Sequence, residues 1–228
     1  MDSIKYKILI VDENPDQIEE FYSFFDTIGN NEFEVFRIDK LENDEDLLSF
    51  INSNEIDSVA FDYKLMENNS VSFSQNGDAY QSMLLEHFEN FPTFIITNNS
   101  NDSKYMNADP FKIISKEIIL FNSDIPEQKQ EALGLVDKIK LSIQKYKENL
   151  SAIEDELYAL VERQNNGEDL PEDDVKKMVE LDNKLENSIS KKSKIPSEWK
   201  NPAGIKVLTD LVASSNDILN ELKKINNV

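Results

Sequence analysis

The chain has 228 residues, no cysteine and a formal net charge of −21, from 45 acidic and 24 basic side chains. A hydrophobic fraction of 39% is enough for a folded core, so the composition excludes a disordered protein. The excess of acids repels phosphate backbones, which argues against any nucleic acid partner, and the lack of cysteine excludes disulfides and thiolate metal sites.

The N-terminal residues contain no recognisable targeting signal. The apolar run at residues 8–11 is far shorter than the roughly 20 residues of a transmembrane helix, and it is too short for a signal peptide. Together with the lack of cysteine, this predicts a soluble, cytoplasmic protein that does not contact a membrane.

Strands and helices alternate over the first 120 or so residues. Apolar and often β-branched runs predict five strands, at residues 7–11, 33–38, 59–61, 93–97 and 111–116. Apolar residues at helical spacing predict helices between the first four, and only about a dozen residues remain for a short or irregular helix before the fifth. This alternation predicts an α/β fold with a five-stranded parallel doubly wound sheet.

The first predicted helix has a well-defined start. Asn14 has the side chain of an N-cap, and Pro15 occupies the first helical position. Asp16 lies near the positive end of the helix, and Gln17 stands at the third position, as in a capping box. Gly29 ends this helix.

From Pro126 onward the pattern is helical. Eight apolar residues fall at alternating spacings of three and four, which is typical of a coiled-coil seam: Val136, Ile139, Ile143, Tyr146, Leu150, Ile153, Leu157 and Leu160. They predict one helix over residues 126–165 that packs on the sheet with its first turns. A turn before Pro171 predicts an antiparallel second helix, and a stripe over residues 205–225 predicts a last one. We expect domains at 4–142 and 143–228, the second being a coiled-coil, hairpin or three-helix region.

Polar side chains gather at the carboxyl ends of the predicted strands, which share one edge of a parallel sheet. They are Asp12 and Glu13 after the first strand, Asp62 after the third, Thr97 on the fourth and Lys116 on the fifth. Three carboxylates so close together repel one another and call for a cation, and an all-oxygen site suits Mg²⁺ or Mn²⁺. A lysine and a hydroxyl can bind phosphoryl oxygens, so Asp62 is the natural nucleophile for an acyl phosphate.

In this order and at these strand ends, the five residues resemble the receiver domain of two-component response regulators, over about residues 5–140. The resemblance implies that a partner histidine kinase phosphorylates Asp62, and that Thr97 and Lys116 contact the phosphoryl group. A receiver is not an enzyme in the ordinary sense, although it catalyses its own phosphorylation and dephosphorylation.

The resemblance also implies a magnesium site. Asp12, Glu13 and Asp62 would hold the ion together with the main-chain carbonyl of Lys64.

Four features depart from the receiver pattern and concern the conformational readout more than the phosphorylation chemistry. The loop after Asp62 lacks the usual proline and is long. Asn98 follows the threonine where a small residue is common, and Glu117 follows the lysine where proline is usual. Ile113 stands before the lysine where an aromatic residue is expected.

Two functions remain open. The first is a phosphorelay receiver whose helical module binds an effector or self-associates without contacting DNA, or that acts as a phosphate sink. The second is a pseudo-receiver, a coiled-coil adaptor that binds a partner without phosphorylation.

The only histidine, His87, lies on the third predicted helix, so the C-terminal helices are not a histidine phosphotransfer bundle. A haloacid-dehalogenase-type phosphatase would need a second acid two residues after Asp62. Lys64 stands at that position, which argues against this activity.

Overall fold

Five parallel strands form one sheet in a computed structural model that describes residues 5–66, 72–98 and 109–189. The strands are β1 (Tyr6–Val11), β2 (Phe33–Ile38), β3 (Ser58–Asp62), β4 (Thr93–Thr97) and β5 (Ile113–Ser115). They lie in the order β2-β1-β3-β4-β5, which is the order of the flavodoxin-like doubly wound fold. The predicted fold class is therefore confirmed.

Helices accompany the strands in chain order. They are α1 (Pro15–Ile28), α2 (Asp44–Asn54), α3 (Gly77–His87), a short α4 (Lys116–Ile119), α5 (Pro126–Asn165) and α6 (Glu172–Ile189). None of the helices in these described ranges is long and apolar enough to cross a membrane.

The sheet is covered on both faces because successive strand residues point to opposite sides. Ile8 and Ile10 of β1 pack in a cluster with apolar side chains of α1 and of α5 up to Ile143. Leu9 and Val11 pack in a second cluster with α2 and α3. Every residue of β3 is buried, which explains why its sequence is an apolar run without alternation.

The chain divides into two compact units, Met1–Ser151 and Ala152–Val228. Within the second, the end of α5 and α6 form an antiparallel hairpin whose core contains Leu160, Met178 and Leu181. Its turn contains Gly167, whose φ of 83° is one that glycine adopts readily. The 126–165 helix and its antiparallel neighbour agree with the sequence prediction.

Other predictions on the C-terminal half stay open. Val136, Ile139 and Ile143 are buried in the sheet unit, and Leu160 is buried in the hairpin. The coiled-coil pairing and the domain limits stay predictions. The last predicted helix, at 205–225, lies outside the described residues.

The fifth strand is shorter than predicted at both ends. The side chain of Asp109 accepts a hydrogen bond from the Phe111 N–H at 3.0 Å, within a 3₁₀ turn at Pro110–Lys112. The hydroxyl of Ser115 caps the next helix by accepting from the Glu117 N–H at 3.3 Å. Lys116 is therefore the first residue of α4 and not the end of a strand. The predicted irregular helix before β5 lies outside the described residues.

Candidate functional site

An ion-pair cluster lies at the carboxyl ends of the strands. Asp12 follows β1, Asp62 ends the neighbouring β3, and Lys116 begins α4 directly after β5; all three are buried. The Lys116 Nζ lies 2.8 Å from Asp62 Oδ1 and 3.3 Å from Asp12 Oδ2. The fold thus brings together three residues that are far apart in the sequence.

The other predicted site residues lie around this cluster. Glu13 is half-buried; the pKa of Asp62 is raised mainly by burial, and the charge of Glu13 adds a smaller rise. The Lys64 main-chain N–H donates to the Asp62 carboxylate and acts in the opposite direction on that pKa. Thr97 is buried at the end of β4, in register with Ser115 of β5. The structure therefore places Glu13 and Lys64 beside Asp62, and Thr97 at the same edge of the sheet.

The acidic side chains outnumber the basic ones in this site. Burial raises the pKa of Asp12 to about 6, with the charge of Asp62 adding to the rise and Lys116 opposing it. Burial also raises the pKa of Asp62, and the ammonium of Lys116 again lowers it. One lysine is shared between two buried carboxylates, so the cluster keeps a surplus of negative charge.

The donor types at this edge fit a hard divalent cation. Mg²⁺ is held by one or two carboxylates with water completing the shell, and Asp12, Glu13 and Asp62 supply such oxygens. Among the described residues, however, no three acidic or histidine side chains already form a metal-binding cluster. The ammonium of Lys116 contacts both buried carboxylates instead. Ion binding would therefore have to rearrange these contacts.

Two contacts at the start of α1 were not predicted. The Asn14 N–H donates to Asp12 Oδ1 at 2.9 Å, which fixes the orientation of that carboxylate. The side-chain oxygen of Gln17 accepts a hydrogen bond from the Lys116 Nζ. The sequence pointed to Gln17 only as a capping residue, because nothing local indicates a lysine 99 positions away.

Gly77 is a further site residue that the sequence marked only as the start of a helix. A Cβ placed there would lie 2.1 Å from the main-chain oxygen of Asp62 and 2.9 Å from the Phe61 Cβ. The Gly77 N–H also donates to the Tyr63 carbonyl oxygen at 3.1 Å. The start of α3 therefore packs directly on the backbone of Asp62, at a distance that only glycine permits.

Of the three single-residue departures from the receiver pattern, two lie at the surface. Asn98 and Glu117 are exposed, and Ile113 is half-buried against the α2 and α3 side of the sheet. Phe111, the aromatic ring nearest to the expected position, is 81% exposed. Because this ring is already in solvent, the structure contains no buried position of the ring from which a conformational switch could release it.

Comparison with solved structures gives response regulators, the family that the sequence resembles. The bacteriophytochrome response regulator AtBRR is 15% identical with a TM-score of 0.38, over 57% of this chain and 93% of that one. The RcsB response regulator of Salmonella typhimurium is 14% identical with a TM-score of 0.39, over 86% of this chain and 74% of that one. No protein-family model and no curated protein sequence matches the chain. At such scores, function has to be argued from the residues of this chain.

Proposed function

We propose that the sheet unit is a phosphoacceptor receiver of a two-component phosphorelay, in which a histidine kinase phosphorylates Asp62. One observation carries this proposal: a buried aspartate ends the central strand, with a lysine at 2.8 Å, and a second buried aspartate directly after the neighbouring strand β1 contacts the same lysine. A surplus of buried acid around one lysine costs stability, which is typical of a functional site.

The chemistry follows from the roles of these side chains. A carboxylate oxygen of Asp62 attacks the phosphorus of a phosphohistidine, the phosphorus–nitrogen bond breaks, and the imidazole leaves with the electron pair. Lys116 would then donate to an oxygen of the transferred group, with the hydroxyl of Thr97 as a second donor. When bound, Mg²⁺ would neutralise charge on the phosphoryl oxygens. Asp12, Glu13 and Asp62, with the Lys64 carbonyl, are the residues that would hold it.

The partners proposed for this function are a histidine kinase and either an effector protein or a second copy of the chain. The exposed faces of α5 and α6 offer the surface for the latter two. The net charge of −21 argues against DNA as the target. A phosphate sink, which drains the kinase without an output, is the other form of the same proposal.

The direct test is phosphorylation by a small phosphodonor, such as phosphoramidate, in the presence of Mg²⁺. We expect one phosphoryl group on the wild type, labile to both strong acid and base as an acyl phosphate is, and none on Asp62→Asn, detected by intact mass. Asp57→Asn is a matched control, since that aspartate lies five residues earlier, directly before β3, and its side chain is similarly buried. Absence of phosphorylation in the wild type would contradict the proposal.

One observation favours the adaptor as a second candidate. Lys116 already contacts both Asp12 and Asp62, and the described residues contain no ready metal cluster. A functional site gains stability when it binds a cation, so thermal unfolding should shift upward in millimolar Mg²⁺. No shift in the wild type, together with no phosphorylation, would favour the adaptor.

A further inference from the structure

Gln17 occupies the third position of α1, where its side chain would ordinarily cap the helix. In a capping box, this side chain accepts from the main-chain N–H of the N-cap residue. Here that N–H belongs to Asn14, and it donates to Asp12 Oδ1 at 2.9 Å instead. The side chain of Asn14 caps the helix on its own by accepting from the Asp16 N–H at 3.0 Å. The main-chain N–H groups of Asn14 and Asp16 are thus satisfied without the side chain of Gln17.

The side chain of Gln17 instead turns to Lys116. A lysine ammonium has three N–H donors, and three acceptors lie around this one: Asp62 Oδ1, Asp12 Oδ2 and Gln17 Oε1. Two of these acceptors are carboxylates that the proposed function assigns to cation binding and phosphorylation. Gln17 is the neutral one, and no part of that chemistry uses it.

We propose that Gln17 is a positioning residue for Lys116, an inference that rests on the proposed function. When Asp12 and Asp62 engage a cation or a phosphoryl group, their contacts with Lys116 weaken, whereas the hydrogen bond that Lys116 donates to Gln17 persists. The lysine side chain is a flexible four-carbon stem, so a fixed neutral acceptor limits where the ammonium of Lys116 can lie. Gln17 therefore keeps Lys116 directed toward Asp62 during phosphoryl transfer.

The first test observes the lysine directly in the unphosphorylated protein. A buried, hydrogen-bonded ammonium exchanges its protons slowly, so the ¹⁵Nζ signal of Lys116 should be visible in cold heteronuclear NMR spectra and absent in Lys116→Met. Gln17→Met keeps the length of the side chain but removes the acceptor, and should speed this proton exchange by about tenfold. Gln17→Glu keeps an acceptor oxygen and should preserve the slow exchange. Unchanged exchange in Gln17→Met would overturn the proposal.

The second test measures phosphorylation by phosphoramidate. We expect Gln17→Met to slow phosphorylation of Asp62 by about tenfold, with a Mg²⁺ midpoint within about twofold of the wild type, and Gln17→Glu to recover most of the rate. Equal rates in the wild type and Gln17→Met would overturn the positioning role. The two proposals can fail separately: a wild type that is not phosphorylated contradicts the receiver function, whereas the NMR experiment still decides whether Gln17 holds Lys116.

Discussion

The two ends of β3 place the same residue type in different electrostatic surroundings. Asp57 precedes the strand and Asp62 ends it, with side chains 11% and 10% exposed. Asp57 accepts from the Lys7 main-chain N–H at 2.9 Å and pairs with Lys147 at 2.5 Å. Asp62 must share Lys116 with a second buried aspartate. At Asp57 one buried carboxylate pairs with one lysine, whereas at Asp62 two buried carboxylates share one lysine.

This difference separates a structural aspartate from the proposed phosphoacceptor more clearly than burial does. The carboxylate of Asp57 joins the starts of β1 and β3 to α5, and each of its oxygens has a partner. Crowding of acids at Asp62 opposes folding, and such local conflicts persist in proteins mainly at functional sites. The surplus of acid around one lysine therefore supports the role that we propose for Asp62, and it can be tested by removing each carboxylate in turn.

The largest effect is expected for Asp57→Ala. The substitution leaves the Lys7 N–H without its acceptor and removes the partner of Lys147, so the free energy of unfolding should fall by about 3 kcal/mol. Urea unfolding measures this change. Asp62→Ala is the comparison, and it should be neutral or stabilising because it relieves acid crowding. A greater loss for Asp62→Ala than for Asp57→Ala would contradict the distinction between the two ends.

The next effect concerns the packing of α3 on Asp62. Gly77→Ala would place its Cβ against the main-chain oxygen of Asp62, and we expect a loss of about 2 kcal/mol and slower phosphorylation. Gly134→Ala is a matched control within α5, since no atom lies within 4 Å of the added Cβ. That variant should gain about 0.5 to 1 kcal/mol from helix propensity. Similar urea midpoints for both variants would contradict the close approach at Gly77.

The sequence predicted the framework of the sheet well because each signal there is local. Apolar runs located β1 to β4, and the polar residues after them located the candidate site. Gly77 was recognisable as the start of a helix, but its contact with Asp62 depends on how α3 packs. The same holds for Gln17, because its bond to Lys116 joins distant parts of the chain. Lys116 itself was misplaced on a strand because the capping role of Ser115 competes with strand pairing.

A smaller effect of opposite sign is expected for Asp12→Asn at neutral pH. The pKa of Asp12 is raised from 3.8 to about 6 in the folded protein, so the folded state binds its proton more tightly than the unfolded state does. The resulting stability is present below about pH 4 and is lost as the pH rises through 6. Asp12→Asn removes this loss, and it should be more stable than the wild type by about 1 to 2 kcal/mol at about pH 8.

The measurement is urea unfolding at several pH values, with EDTA present so that no divalent ion contributes. The difference between Asp12→Asn and the wild type should shrink toward zero below about pH 4, since Asp12 is then largely neutral in both the folded and the unfolded protein. Titrating groups that do not interact with Asp12 cancel in this difference, whereas Asp62 and Lys116 interact with it and contribute to the gain. A gain that stays constant from about pH 4 to pH 8 would show that packing, rather than the charge of Asp12, causes it.

The smallest effect separates the two partners of Asp57. Lys147 is half-exposed, so its ion pair is screened by solvent, whereas the Lys7 N–H lies in the backbone of the sheet. Lys147→Met should therefore cost less than about 1 kcal/mol, and that cost should fall further in about 0.5 M salt. If Lys147→Met instead costs as much as Asp57→Ala, the ion pair anchors α5 and the main-chain bond does not. The Asp57 end of β3 would then depend on charge as much as the site at Asp62 does.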